Sequence, residues 1–130
     1  MIKILIADDA DIVRTAIFRL LSVSSEAQVV AEAKTYREMM RLVGEHRPDV
    51  VLLDVHMGDK SDVTVPEITS CLNGCQLFVV SIWNDSETKA YAQSLGAIRF
   101  LDKFMLSVEL IPALRQLIRD DDTQFYPCAG

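Results

Sequence analysis

Residues 50–54 read Val50-Val51-Leu52-Leu53-Asp54, four apolar side chains that stop abruptly at an acid. A strand with one wet face alternates apolar and polar residues. A short unbroken apolar run instead predicts a strand buried on both faces, as in a parallel sheet. The same pattern opens the chain, where Ile2–Ala7 (IKILIA) ends in Asp8-Asp9. Gln28–Ala33 (QVVAEA), Leu77–Ile82 (LFVVSI) and Ile98–Leu101 supply three further strand candidates.

Segments of helical period separate these runs. Val13, Ala16, Ile17, Leu20 and Leu21 recur at helix spacing, with the polar face outward. Tyr36, Met39, Met40 and Val43 mark a second helix, closed by Gly44 and Pro48. The stretch His56–Val65 is polar, contains Gly58 and reads as a loop; Pro66 then suits the first turn of a short third helix ended by Asn73-Gly74. Asp85 or Ser86 caps a fourth helix carrying Thr88, Tyr91, Ala92 and Leu95, with Gly96 as its stop. Leu110, Ile111, Leu114, Leu117 and Ile118 line a fifth. Strands alternating with helices over connections this short predict a doubly wound α/β domain with helices on both faces of a parallel sheet. The expected boundaries are one domain over residues 1–120 and an acidic tail, or the start of a linker, over 121–130.

Composition narrows the function classes. The 130 residues suit a single core, and 13 basic against 19 acidic residues give a net charge of −6. Phosphate backbones would repel such a chain, so direct nucleic-acid binding is not expected. No apolar run approaches the ~20 residues that span a bilayer, and MIKILIADD lacks the layout of a signal peptide. A cytoplasmic location is therefore expected. Cys71, Cys75 and Cys128 are too few and too widely spaced for a zinc site and read as reduced thiols.

In an open parallel sheet the functional crevice lies beyond the carboxyl ends of the strands. There this sequence places Asp8-Asp9, Asp54, Ser81 and Lys103. Carboxylates converging at ~4 Å repel by about 4 kcal/mol per pair at an effective dielectric near 20. A hard cation relieves that repulsion, and Mg²⁺ binds through a few carboxylates, waters and a substrate phosphate. Lys103 and the Ser81 hydroxyl can then grip phosphoryl oxygens, while a carboxylate nucleophile would yield an acyl phosphate.

With those residues in place, the chain resembles the receiver domains of bacterial two-component response regulators over roughly residues 2–119. LIADDADIVR, VVLLDVHMG, FVVSIWN and GAIRFLDKF carry the resemblance. It implies a flavodoxin-like (CheY-like) fold with five parallel strands in order 2-1-3-4-5 and five helices. It also implies that Asp54 accepts the phosphoryl group, and that Asp9 and Asp54 bind Mg²⁺ with the backbone carbonyl of His56 while Asp8 acts largely through water. Ser81 and Lys103 would contact the phosphoryl group, and Phe100 would be the aromatic that changes rotamer with Ser81. His56 and Trp83, each two residues beyond a site residue, would flank the path of the hydrolytic water and tune dephosphorylation. The implied partners are a sensor histidine kinase or phosphotransfer protein, a second copy on phosphorylation, and a DNA-binding output domain outside this chain. GAIRFLDK is nearest to receivers that precede LuxR/NarL-like helix-turn-helix domains. Such a domain is a phosphoacceptor that catalyses its own phosphorylation and dephosphorylation rather than an enzyme for a separate substrate.

Two departures from the family pattern stand out. Gly58 follows Met57 where Pro is usual, and Phe104 follows Lys103 where many members carry a cis proline. A non-proline cis bond costs about 3 kcal/mol. Other readings remain beside the leading one. Asp8 and Asp9 could be turn and cap residues of the first helix, and the domain could be a degenerate receiver that binds partners without phosphorylation. An aspartate-nucleophile phosphohydrolase would carry Asp-x-Asp after the first strand, whereas this chain has adjacent acids. Nucleotide-binding modules would need a Gly-rich phosphate loop, and none occurs.

Overall fold

A computed structural model describes the backbone of residues 1–129 and the side chains through residue 119. Five strands, β1 (Ile2–Ala7), β2 (Ala27–Ala33), β3 (Val50–Leu53), β4 (Gln76–Ser81) and β5 (Arg99–Asp102), form one parallel sheet in the order 2-1-3-4-5. The helices are α1 (Asp11–Ser22), α2 (Tyr36–His46), α3 (Val65–Cys71), α4 (Ser86–Ser94) and α5 (Leu106–Ala129).

The alternation of side chains along each strand divides the core in two. Leu5, Ala7, Val51, Leu53 and Val79 face Tyr36, Met39 and Val43 of α2, Ile68 of α3 and Ala92 of α4. Ile4, Ile6, Val50, Leu52, Phe78 and Val80 face Ile17 and Leu21 of α1 and Leu110, Ala113 and Leu114 of α5. Each large aliphatic side chain buried in this way contributes about 1.5–3 kcal/mol before entropy is counted. All four residues of β3 are buried, which is why their sequence shows no alternation.

Several boundaries differ from those read off the sequence. β4 and β5 are shifted relative to the expected spans, because Gln76 pairs with Val50 and Asp102 pairs with Ser81. Gly44 does not stop α2. The helix continues to His46, and Arg47 provides the left-handed C-cap at φ 46°. The loop after β3 holds a 3₁₀ turn at Lys60–Asp62. This loop is tied to α2: the Asp59 carboxylate accepts the amides of Tyr36 at 2.8 Å and Arg37 at 3.2 Å. From α2, the buried Tyr36 hydroxyl donates to the Val55 carbonyl at 2.7 Å. α3 is short, with the Thr64 side chain capping it and Pro66 in its first turn.

No described peptide bond is cis, so Lys103–Phe104 is trans and Lys103 opens a 3₁₀ turn that leads into α5. The backbone of α5 continues across residues 121–129, which composition assigns to a tail or linker. The boundary expected at residue 120 falls where the side chains lie outside those described, as does Cys128. Cys71 and Cys75 are free thiols, and burial pushes both above their ordinary pKa. No helix among the described residues is long and apolar enough to cross a membrane.

Candidate functional site

β1 and β3 are central neighbours, with Ala7 paired to Leu53, so the residues that follow them emerge side by side. The chain's winding reverses between these strands, which makes this the switch point of the sheet. Backbone hydrogen bonds hold both acids as extensions of their strands: Asp54 N–H donates to Ala7 O at 2.8 Å and Asp8 N–H to Ala33 O at 3.0 Å. Asp8 and Asp54 are buried and Asp9 is exposed. One carboxylate oxygen from each of Asp8, Asp9 and Asp54 falls within 4.8 Å of the others.

Neither acid of the Asp8-Asp9 pair caps α1. The N-cap is Ala10 with no side-chain bond, and Asp8 Oδ1 instead accepts the Ala10 amide at 2.9 Å. Lys103 bridges the two buried acids, with Nζ 2.7 Å from Asp8 Oδ2 and 3.2 Å from Asp54 Oδ2. Burial disfavours its ammonium, but the Asp8 hydrogen bond and the charges of Asp54 and Asp8 outweigh it, so its pKa lies above the ordinary 10.5. The other Asp54 oxygen accepts the His56 amide at 3.0 Å.

The remaining expected residues occupy different places. Ser81 is buried at the end of β4, and its hydroxyl accepts the Trp83 amide at 2.9 Å. Phe100 is half-buried on β5 against the apolar layer beneath α4, with the Lys89 ammonium 5.9 Å from its ring centre. The rings of His56 and Trp83 meet edge to face at 6.4 Å. Both rings line a groove of about 550 Å³ together with Thr88 and Asp85. Thr88 Oγ1 lies 3.5 Å from His56 Nε2 and donates to Asp85 Oδ1 at 2.7 Å.

Two participants escape the sequence reading. Thr88 is a helix-face residue in the pattern, yet it links α4 to the loop after β3. Arg14 is buried, and its Nη1 donates to the Asp8 carbonyl at 2.7 Å. Its signal was available, because Arg14, Ile17 and Leu21 share the buried stripe of α1 at spacings of three and four.

Three carboxylate oxygens and no nitrogen or sulfur donor suit a hard divalent cation. An ammonium at the same rim adds a donor for phosphoryl oxygens. The sequence profile of the response regulator receiver domain matches residues 4–115. The chain belongs to this family. Receiver domains signal through phosphorylation, and this one has the family's five-stranded fold.

Among relatives, the transcriptional regulatory protein LnrK of Bacillus subtilis strain 168 is 35% identical over 115 residues, covering 88% of this chain and 52% of LnrK. The response regulator GacA of Pseudomonas aeruginosa is 31% identical over 118 residues, covering 90% of this chain and 55% of its own. This receiver domain thus spans about half the length of these relatives. Among solved structures, a LuxR-family response regulator from Aurantimonas superposes with a TM-score of 0.80 at 24% identity, covering 92% of this chain and 86% of that one. The response regulator domain of Thermotoga maritima CheB gives 0.77 at 20% identity, covering 89% and 95%.

Proposed function

We propose that Asp54 accepts a phosphoryl group from a phosphohistidine on a sensor histidine kinase or phosphotransfer protein. The observation that carries this reading is the convergence of three carboxylates within 4.8 Å of one another, two of them paired with one ammonium, Lys103 lying 2.7 Å from Asp8 and 3.2 Å from Asp54. Asp9, Asp54 and the His56 carbonyl would hold Mg²⁺, with Asp8 acting largely through water. Mg²⁺, when bound, supplies positive charge that offsets the crowded acids and the phosphoryl oxygens. An Asp54 oxygen forms the new O–P bond as the donor's N–P bond breaks, and the electron pair leaves with the imidazole, which takes up a proton. Lys103 steadies the charge on the transferred group. Ser81 turns from the Trp83 amide toward the phosphoryl group, and Phe100 follows it inward. The domain thereby catalyses its own phosphorylation and, with water as the acceptor, its own dephosphorylation.

The acyl phosphate would shift a two-state equilibrium and alter the surface formed by α4, β5 and α5. LnrK, named as a transcriptional regulatory protein and matched over about half its length, supports a switch that acts through a DNA-binding output domain, and a homodimer on phosphorylation is part of the same proposal. Free thiols at Cys71 and Cys75 suit a reducing, cytoplasmic compartment.

Incubation with a small acyl-phosphate donor and Mg²⁺, followed by intact mass, tests the acceptor. One phosphoryl adduct is expected in the wild type and none in Asp54→Asn. No adduct in the wild type would favour a partner-binding receiver without phosphorylation. The decay of the same adduct tests His56 and Trp83, whose rings shield the rim. Small replacements at both should speed its loss. An unchanged decay rate would remove them from the mechanism.

A further inference from the structure

Arg14 is a buried cation that the phosphoryl chemistry above does not use. Its side chain is 9% exposed in the first turn of α1, where a guanidinium persists only with partners. It has three, on three separate pieces of chain. Nη1 donates to the Asp8 carbonyl at 2.7 Å, Nη2 pairs with the Asp11 carboxylate, and Nε lies 3.3 Å from Glu32 Oε1 on β2. Glu32 is itself registered opposite Ile6 of β1, so the guanidinium bridges the sheet and the turn that leaves it.

Asp8 is consequently held at every polar atom. Its amide donates to Ala33, its carbonyl accepts from Arg14, and its two carboxylate oxygens accept from Ala10 and Lys103. Asp9 is the opposite case. Its carboxylate is exposed and has no hydrogen-bond or ion-pair partner among the described residues, yet one of its oxygens falls within 4.8 Å of those of Asp8 and Asp54. With no side-chain contact to hold it, Asp9 is steered by its backbone, and the peptide that joins it to Asp8 fixes where its Cα–Cβ bond starts. Arg14 grips the carbonyl of that peptide.

We infer that Arg14 is a positioning residue for the acidic site, which aims Asp9 at a divalent cation by clamping the Asp8–Asp9 peptide. This rests on the Mg²⁺ reading proposed above. A planar fork with fixed donors can span three acceptors on three elements, whereas a lysine supplies one compact charge and would meet fewer of them.

Titration of the metal-free protein with Mg²⁺, followed by amide NMR shifts, measures both folding and affinity. Groups that orient metal ligands typically change affinity 10- to 100-fold when removed. Arg14→Met should raise the Mg²⁺ Kd by that factor, while Arg14→Lys and Glu32→Gln should raise it less. In an Asp9→Asn background, Arg14→Met should have little further effect, because the ligand it aims is gone; a purely structural role would lower the unfolding midpoint equally in both backgrounds and leave Kd unchanged. A folded Arg14→Met with wild-type Kd overturns the inference. Where Arg14→Met does not fold, wild-type Kd values in both Arg14→Lys and Glu32→Gln overturn it. No saturable shift in the wild type would overturn the Mg²⁺ reading and this inference with it, whereas wild-type binding that ignores Arg14 overturns the inference alone.

Discussion

At Lys103 two effects oppose each other. Burial disfavours the charge, and the hydrogen bond that Lys103 donates to Asp8, with the charges of Asp54 and Asp8, restores it, leaving the pKa above 10.5. A raised pKa in the folded state means that the ammonium's stabilising contribution is complete below 10.5 and is lost as pH rises through the folded value. Lys103→Met should therefore destabilise the metal-free protein by about 1–3 kcal/mol near neutral pH, since two buried acids lose their counter-charge. Urea unfolding in chelator measures this. The gap between wild type and variant should close above the folded pKa and narrow when Mg²⁺ replaces the missing cation. Equal stability at pH 7 in chelator would mean that the two acids do not depend on Lys103. Asp8, Asp9, Asp54, Ser81 and Lys103 were legible as strand-end residues because each lies at the carboxyl end of an apolar run or within two residues of it. The burial of Arg14 could be read from its stripe on α1, but its bond to the Asp8 carbonyl and the Thr88–His56 contact could not, because both depend on how helices pack on the sheet, and the latter spans 32 positions.

Among the elements, α2 carries a local conflict. Its left-handed cap is Arg47 at φ 46°, a region that costs an L-residue about 1–2 kcal/mol and that glycine enters freely. Arg47 is exposed, so its replacement disturbs no packing. Arg47→Gly should stabilise the domain by up to ~1 kcal/mol, the relief of strain offset in part by the freer unfolded chain. Chemical denaturation with an unchanged m-value would verify it, and a loss of stability would mean that Arg47 makes a contribution its geometry does not reveal. This cap also explains why the end of α2 was misread. Gly44 is the better left-handed residue, but Val43 is in the core and the helix must run on one turn before Pro48 enters the buried region ahead of β3. Hydrophobic pattern located all five strands along the chain, while the sheet order 2-1-3-4-5 came from the family resemblance; the edge strands β2 and β5 are less buried than β3. Their ends depend on pairing: β4 gains Gln76 and β5 gains Asp102 because Val50 and Ser81 present partners.

For the whole molecule, the site links the two strands on which both apolar layers rest. β1 and β3 supply Ile4, Ile6, Val50 and Leu52 to one layer and Leu5, Ala7, Val51 and Leu53 to the other. Asp8, Asp9 and Asp54 extend from those strands, so a cation held among them binds only when the sheet is assembled. Binding restricted to the folded state raises the free energy of unfolding by mass action, about 2.7 kcal/mol at a ligand concentration 100 times Kd. Mg²⁺ should therefore raise the Tm by several degrees, chelator should return it, and Asp9→Asn should flatten the response. Asp54→Asn carries a second expectation. In the absence of metal it removes a charge from a crowded pair, so its Tm without Mg²⁺ should equal or exceed that of the wild type even as its response to Mg²⁺ shrinks. A Tm indifferent to Mg²⁺ would mean that Lys103 alone neutralises the acids in the folded domain, and the rim would then be an ion-pair cluster rather than a cation site.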